Sequence, residues 1–291
     1  MPKPNRSEPT PITSALLREW AVPAAEAGTV LVVGGARRSP GAVLLSGIAA
    51  LRTGAITLQL AVVERHASAL GLAVPEALVV DLPETESGAV SRAAADVLAD
   101  LVPDAGAVVV GPGLFDVDET AALLERLLPL VAPDTPVVLD AFALGAVANH
   151  PELAKPVHGR LVLTPNTVEA AYLLGRPDDP VEDYVGAAVE IAEEHQAVVN
   201  LMGVVAEPGG RVWRDGTGHV GLSTSGSGDV LAGLVGGLLA CAADPAQAAC
   251  WAGHVHAMAG QRLVPRTGLT GMLARELLDE VPLVLVELRA L

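Results

Sequence analysis

The stretch Thr29-Val-Leu-Val-Val33-Gly34-Gly35-Ala-Arg-Arg-Ser-Pro-Gly41-Ala42, continuing as Val-Leu-Leu-Ser-Gly-Ile-Ala-Ala-Leu-Arg52, decides the fold. Its opening run has no polar alternation, which is what a strand covered on both faces requires. Two glycines turn the chain, and the alanine- and leucine-rich Ala42–Arg52 then reads as a helix. The same alternation extends in both chemistry and order. Ile56–Val63, Ala107–Val110, Pro136–Leu139, Arg160–Leu163 and Ala197–Leu201 read as further buried strands. Helical patterns fall at Ser87–Leu101, Glu119–Leu130, Val168–Leu174 and Val181–Glu194, then at Val230–Cys241, Pro245–Leu263 and Gly271–Ala290. This predicts an α/β domain with a mostly parallel central sheet flanked by helices. Arg211-Val-Trp-Arg-Asp-Gly216 reads as a hairpin at the sheet edge.

Composition narrows the function. The chain has 291 residues, 51% apolar and 18% charged, which excludes intrinsic disorder. No linker or composition break divides it, so residues 28–291 read as one domain behind an N-terminal arm, residues 1–27. That proline-rich arm lacks the apolar core of a signal peptide. Eighteen basic against thirty-four acidic residues give a net charge of −16. Such a field repels phosphate backbones and anionic lipid, so neither nucleic acid nor a membrane surface is expected as partner. Mean hydropathy is +0.46, yet neither Pro245–Gln261 nor Val230–Ala243 is both long and apolar enough to span a bilayer. Cys241 and Cys250 form no Cys-x-x-Cys and read as reduced core residues of a cytoplasmic protein. The two lysines, Lys3 and Lys155, follow no glycine, which rules out a P-loop.

Ligands of open α/β sheets bind at the carboxyl ends of the strands. There the sequence places Gly34–Ala42, Gly111-Pro-Gly113-Leu114, Asp140, Thr164-Pro-Asn166-Thr-Val-Glu169 and Met202-Gly203. Any one reads equally as a tight turn; together they outline one broad cleft. The sharpest segment is Ser223-Thr-Ser-Gly226-Ser227-Gly228-Asp229, immediately before a long apolar helix. Small residues there expose backbone N–H groups at a positive helix end, an anion nest suited to a phosphoryl group. Asp229 is placed either to accept a proton from a substrate hydroxyl or merely to cap the helix. Asn166 and Glu169, three apart as a helix begins, are either holders of a hydrated magnesium ion or a capping pair. His254 and His256, two apart on one helix, cannot face each other and read as packing or hydrogen-bonding residues. Trp213 and Trp251 read as structural. No G-x-G-x-x-G dinucleotide fingerprint or G-x-S-x-G elbow is present.

The ordered set VLVVGGARRSPGAVLLSGIAALRTGA, VVVGPGL, PVVLDAFAL, LVLTPNTVEAAYLLG and TSGSGDVLAGLVGGLLA, spanning about Gly28 to Leu263, resembles the ADP/ATP-dependent NAD(P)H-hydrate dehydratases of the ribokinase-like superfamily. The resemblance implies a single-domain three-layer sandwich. It implies an enzyme that phosphorylates the ring hydroxyl of hydrated NADH or NADPH from ADP or ATP with Mg2+, after which phosphate leaves. By position it assigns Asp229 as base and Gly226, Ser227 and Gly228 as anion hole. Ala42, Gly113 and Asn166, with Asp229, would line the hydrated-cofactor site, and Met202, Gly203, Val204, Val205 and Ala206, with Gly228, the adenine-nucleotide site. It also implies a homo-oligomer, commonly a tetramer. No residues remain for the epimerase domain often fused to such enzymes.

The chain departs from that pattern at several positions. Met202 replaces a lysine, Asn166 a histidine, Phe142 an aspartate, and His219-Val220 an Asn-Pro, while Ile56 breaks Gly-Ala-Gly-Leu. Asn-x-x-Glu is the form of the superfamily's sugar and vitamin kinases. The alternatives are therefore a small-molecule kinase that stops at the phosphorylated alcohol, and a nucleotide-binding subunit without turnover.

Overall fold

The computed structural model describes residues 8–20, 28–218 and 220–290. From the amino terminus, β1 (Thr10–Pro11) and α1 (Ser14–Glu19) precede β2 (Thr29–Val33), α2 (Pro40–Thr53), β3 (Thr57–Val63), α3 (Glu64–Ala73) and β4 (Ala77–Leu82). Then come α4 (Ala94–Leu98), β5 (Ala107–Val110), α5 (Val117–Leu127), β6 (Val137–Leu139), α6 (Phe142–Asn149), β7 (Leu161–Leu163) and α7 (Thr167–Leu173). The chain ends with α8 (Tyr184–His195), β8 (Val198–Leu201), β9 (Val204–Ala206), β10 (Val212–Arg214), α9 (Ser227–Ala240), α10 (Pro245–Thr267) and α11 (Ala274–Ala290).

The strands form one sheet in the order β1-β10-β9-β8-β7-β6-β5-β2-β3-β4. Among the described strands only the β8–β9 and β9–β10 pairs are antiparallel. Every residue of β5, β6 and β7 is buried, as expected of strands covered on both faces. From β2 the chain steps outward through β3 to β4, then returns to β5 on the other side of β2. The strand order thus reverses between β2 and β5, where open α/β sheets open a crevice.

On one face α2, α9 and α10 lie side by side on the sheet, with α11 packed behind them; on the other α5, α6, α7 and α8 pack in series. The α2–α9 contact is close because α9 presents glycine: a Cβ on Gly233 would stand 2.1 Å from the Ser46 carbonyl oxygen. The direction of α9 matters most for function. Gly28 N–H bonds Ala240 O at 2.8 Å, fixing the end of α9 beside the start of β2. Its first residues therefore reach the carboxyl edge of the sheet, where Gly226 packs beside Leu45.

The structure adds to and trims the sequence-based expectations. β4, an edge strand with only Leu82 buried, escapes the sequence reading because it lacks the two-face burial that marks the inner strands. α3 and α6 are likewise additions. The helix expected over Ser87–Leu101 shrinks to α4. Gly88, at φ +88°, turns the chain back so that Thr85 N–H bonds Ala89 O at 2.9 Å. The hairpin expected at the edge exists as β9–β10, but β1 covers it, with Thr10 opposite Trp213. Leu17 is fully buried and Trp20 meets Trp213 edge-on at 5.7 Å. The described part of the arm is thus packed; residues 1–7 and 21–27 lie outside the described residues. Among the described residues no helix is long and apolar enough to cross a membrane. Both cysteines are buried free thiols.

Candidate active site

The carboxyl ends of β2, β5, β6, β7 and β8 share one edge because these strands are mutually parallel. At the switch point the two glycine-rich loops are laced together. Gly35 N–H bonds Pro112 O at 2.9 Å, Ala36 N–H bonds Gly113 O at 3.0 Å, and the Ser39 hydroxyl donates to Gly113 O at 2.8 Å. Gly113 sits at φ +74°, and a Cβ there would stand 2.3 Å from Ser39 O and 3.0 Å from the Ala42 Cβ. The lacing brings Ala42 and Gly113 side by side. Arg37 ties this loop outward, donating to Glu86 O at 3.1 Å and to Glu84 Oε1 at 3.2 Å.

Gly226, at φ +86°, is the N-cap residue of α9, and no side chain caps this helix. Asp229 is in the first turn and half-buried, so the capping reading of this residue falls. Burial, and then the neighbouring Glu169 charge, push its carboxyl up to about 6. It remains mostly ionised at neutral pH. A Cβ on Gly228 would meet nothing within 4 Å, which leaves that backbone approachable. Ser227 behaves differently from the expected nest residue. It is buried, its N–H goes to Thr224 O at 3.2 Å, and its hydroxyl meets His256 Nε2 at 2.9 Å. Its side chain therefore faces the core, and the amides that remain for an anion are those of its neighbours.

Asn166 and Glu169 form a full capping box on α7. Asn166 Oδ1 accepts from the N–H groups of Val168 and Glu169, and Glu169 Oε2 accepts from Asn166 N–H at 2.9 Å. Burial raises the Glu169 carboxyl above its ordinary value. Beside it lies Asp140, 5% exposed, whose Oδ1 accepts from the Thr164 hydroxyl at 2.8 Å. Burial first, then Glu169 and Asp229, push Asp140 up to about 8 against the Thr164 hydrogen bond. Glu169 thus bears on both Asp140 and Asp229, and Asp229 bears on Asp140. The next residue, Ala141, holds φ +50° and ψ −123°, a conformation costly for any residue with a Cβ. Phe142 follows, 38% exposed at the start of α6.

Among the described residues no three His, Cys, Asp or Glu side chains converge tightly enough to chelate a metal. Magnesium does not require this: it retains water and takes one or two carboxylates beside phosphate oxygens. Hard oxygen donors gathered at one edge, with Glu169 close enough to raise both Asp140 and Asp229, fit such an ion.

At the end of β8, Met202 (φ +49°) and Gly203 (φ +80°) make the two-residue turn into β9. Positive φ at both positions is the type I′ pattern. The Met202 side chain is 54% exposed, whereas Val204, Val205 and Ala206 are buried. Those three form a strand paired on both sides, with β8 and β10, so the exposed part of this stretch is the turn itself. Asp215 N–H bonds Gly203 O at 2.7 Å, and Asp215 Oδ2 meets His254 Nδ1 at 2.9 Å. His219 lies outside the described residues. A separate cavity of about 440 Å³ between α7 and α8, lined by Arg176, Glu182 and Glu190 among others, contains none of these edge residues.

The structure thus brings Ala42, Gly113, Asp229, Asn166 and Glu169 to one edge, with Met202 and Gly203 further along it. Sequence reasoning noted Asp140 only as the residue after a strand and missed its role as the third carboxyl group. It also missed Asp215, whose pairing with His254 leaves no trace in spacing. The histidines are hydrogen-bonding residues facing apart, as expected.

A sequence model of the family described as NAD(P)H-hydrate dehydratase matches residues 30–283. The ADP-dependent (S)-NAD(P)H-hydrate dehydratase of Xanthomonas campestris is 42% identical over 283 residues, covering 93% of this chain and 94% of that protein. The bifunctional NAD(P)H-hydrate repair enzyme Nnr of Moorella thermoacetica is 39% identical over 262 residues, 89% of this chain. The chain spans 49% of that protein's length. Among solved structures, the ADP/ATP-dependent NAD(P)H-hydrate dehydratase of Bacillus subtilis, co-crystallised with ATP/Mg2+ and soaked with CoA, superposes with a TM-score of 0.80 at 28% identity. That match covers 97% of this chain and 100% of the other. Phosphofructokinase-2 of Escherichia coli, at a TM-score of 0.58 and 15% identity, shares the fold alone. A sequence match that begins in β2, ends in α11 and takes in every loop of the edge makes this chain a member of the NAD(P)H-hydrate dehydratase family.

Proposed function

We propose that the chain is a hydro-lyase that restores NADH or NADPH from its hydrated form, using ADP or ATP as phosphoryl donor. The observation that carries this is Asp229, an unprotonated carboxylate at neutral pH in the first turn of α9, at the same edge as the Gly113 loop and Glu169. The ring hydroxyl of the hydrate sits by Asp229, Ala42 and Gly113. Asp229 accepts the hydroxyl proton as that oxygen attacks the terminal phosphorus of the nucleotide. The bond from that phosphorus to the rest of the nucleotide breaks, releasing AMP from ADP or ADP from ATP. The Gly228 amide and the start of α9 face the charge that develops on the transferring group. A weak base suffices, since positioning and electrostatics supply most of the catalysis in phosphoryl transfer. The carbon–oxygen bond then breaks with phosphate as leaving group, the ring nitrogen supplying the electron pair. Loss of a ring proton restores the dihydropyridine.

Asn166 contributes to the same wall through the capping box that fixes the start of α7. The nucleotide lies along Met202–Ala206, entering at the exposed Met202-Gly203 turn, and against the Gly228 amide. Magnesium, when bound, would neutralise the phosphates, held through water by Asn166 and Glu169. A cytoplasmic setting and a homotetramer complete the reading. The test is a coupled assay of hydrated NADH with magnesium and ADP or ATP, following dihydronicotinamide absorbance and released phosphate together. Equal rises in both, lost in Asp229→Ala, support the reading. Nucleotide binding without either rise refutes it.

A further inference from the structure

Helix α10 touches both halves of the edge without lying in the cleft. It does so through two histidines two positions apart, which a helix points in nearly opposite directions. His254 Nδ1 meets Asp215 Oδ2 at 2.9 Å, with side chains only 6% and 3% exposed. Asp215 then donates its N–H to Gly203 O at 2.7 Å, while its Oδ1 accepts from Thr217 N–H at 2.8 Å. Gln261, further along α10, donates to Thr217 O. The Met202-Gly203 turn is thereby tied to α10 through one buried carboxylate. Burial pushes that carboxyl up, and the hydrogen bonds from His254 and Thr217 outweigh it, leaving Asp215 below its ordinary value.

His256 serves the other half. Its Nε2 lies 2.9 Å from Ser227 Oγ and 3.1 Å from Ser227 O. A carbonyl oxygen only accepts, so Nε2 carries the proton and bridges both oxygens. The Ser227 N–H is already bonded to Thr224 O. Each polar atom of Ser227 is therefore held by protein, two residues before Asp229.

We propose that His254 and His256 are positioning residues, His254 registering the nucleotide turn and His256 registering the base-bearing helix, so that α10 sets the placement of phosphoryl donor against base. This rests on the function proposed above. A purely apolar contact would fill these positions without engaging polar groups on two different functional segments. The directed hydrogen bonds distinguish the two cases.

The test uses the full chain with His254→Phe and His256→Phe, beside the conservative His254→Asn and His256→Gln. A misplacement near 1 Å costs up to about a hundredfold in rate. His256→Phe should lower kcat roughly tenfold to a hundredfold while changing KM for ADP by less than about threefold. His256→Gln, which still offers an N–H to Ser227 O, should recover much of that loss. His254→Phe should show the opposite split, with KM for ADP raised about tenfold and kcat nearly retained, and His254→Asn should partly restore it. Amide hydrogen exchange on the ligand-free chain reads the anchors without turnover. Faster exchange confined to residues 227–232 in His256→Phe, and to residues 203–217 in His254→Phe, supports two separate anchors. Parallel loss of kcat and KM in both variants, or faster exchange throughout, overturns the proposal in favour of general packing. A wild-type chain inert toward hydrated NADH overturns the proposed function, while a split exchange pattern would still support the two anchors.

Discussion

Replacing Asp229 with asparagine separates catalysis from folding in one experiment. The folded protein holds this carboxyl at about 6, against 3.8 for the free group, chiefly because burial disfavours its charge. Each pKa unit corresponds to about 1.4 kcal/mol, so the charged form costs the native state at most ~3 kcal/mol. Because Asp229 is only half-buried, solvent screening reduces this to roughly 1–2 kcal/mol. A raised acid pKa means the native state keeps a proton that the unfolded chain releases. Stability present below 3.8 is therefore lost as pH rises to about 6, and stays lost above it. The amide of the variant carries no charge to bury. Asp229→Asn should thus raise Tm by a few degrees at pH 7.5, with the gain shrinking as pH falls from 6 towards 4. The same variant should lose roughly 10²–10⁴ in turnover. Thermal unfolding across pH, paired with the coupled assay, reads both. A variant that is inactive but less stable at pH 7.5 would refute the argument, since it would mean that the carboxylate is a structural element of the native state.

The remaining predictions concern its neighbours. Wild-type kcat/KM should rise with pH through about 6 as Asp229 ionises. Glu169→Gln should move that limb to lower pH, because one cause of the raised Asp229 pKa is removed; a pH profile unmoved in the variant would contradict the convergence of the carboxyl groups. Gly113→Ala forces a Cβ to 2.3 Å from Ser39 O at φ +74°. It should destabilise the chain by about 1–3 kcal/mol and raise KM for the hydrate at least roughly tenfold; denaturant melts and steady-state kinetics check both. Met202→Lys adds an exposed cation at the nucleotide turn and should lower KM for ADP several-fold at low salt, an advantage that fades as ionic strength rises.

The sheet was legible where burial on both faces writes itself into the sequence, as in Val30–Val33 and Ala107–Val110. It was not legible in β4, whose half-exposed residues answer to its place at the edge rather than to local pattern. The loops at strand ends were legible because position alone selects them, and the glycine before Asp229 marked the start of α9. Geometry added what spacing left open: Asp229 makes no capping hydrogen bond, and Asn166 with Glu169 forms a capping box, which does not bear on their reading as holders of a hydrated magnesium ion. Ser227 could not be read correctly, because only the approach of α10 turns its hydroxyl away from the cleft. Likewise the raised pKa of Asp140 comes first from burial and then from Glu169 and Asp229, which arrive from two other segments of the chain.

In this mechanism the oxygen of the hydrate leaves attached to phosphorus. Hydrated NADH carrying ¹⁸O in its ring hydroxyl, turned over by the wild-type chain with magnesium and ADP, tests it directly by mass analysis of the released phosphate. One ¹⁸O atom in each phosphate, in step with restored dihydronicotinamide absorbance, is the result this account requires. Label appearing in water with unlabelled phosphate would contradict it, because the nucleotide would then be cleaved without transfer to the substrate.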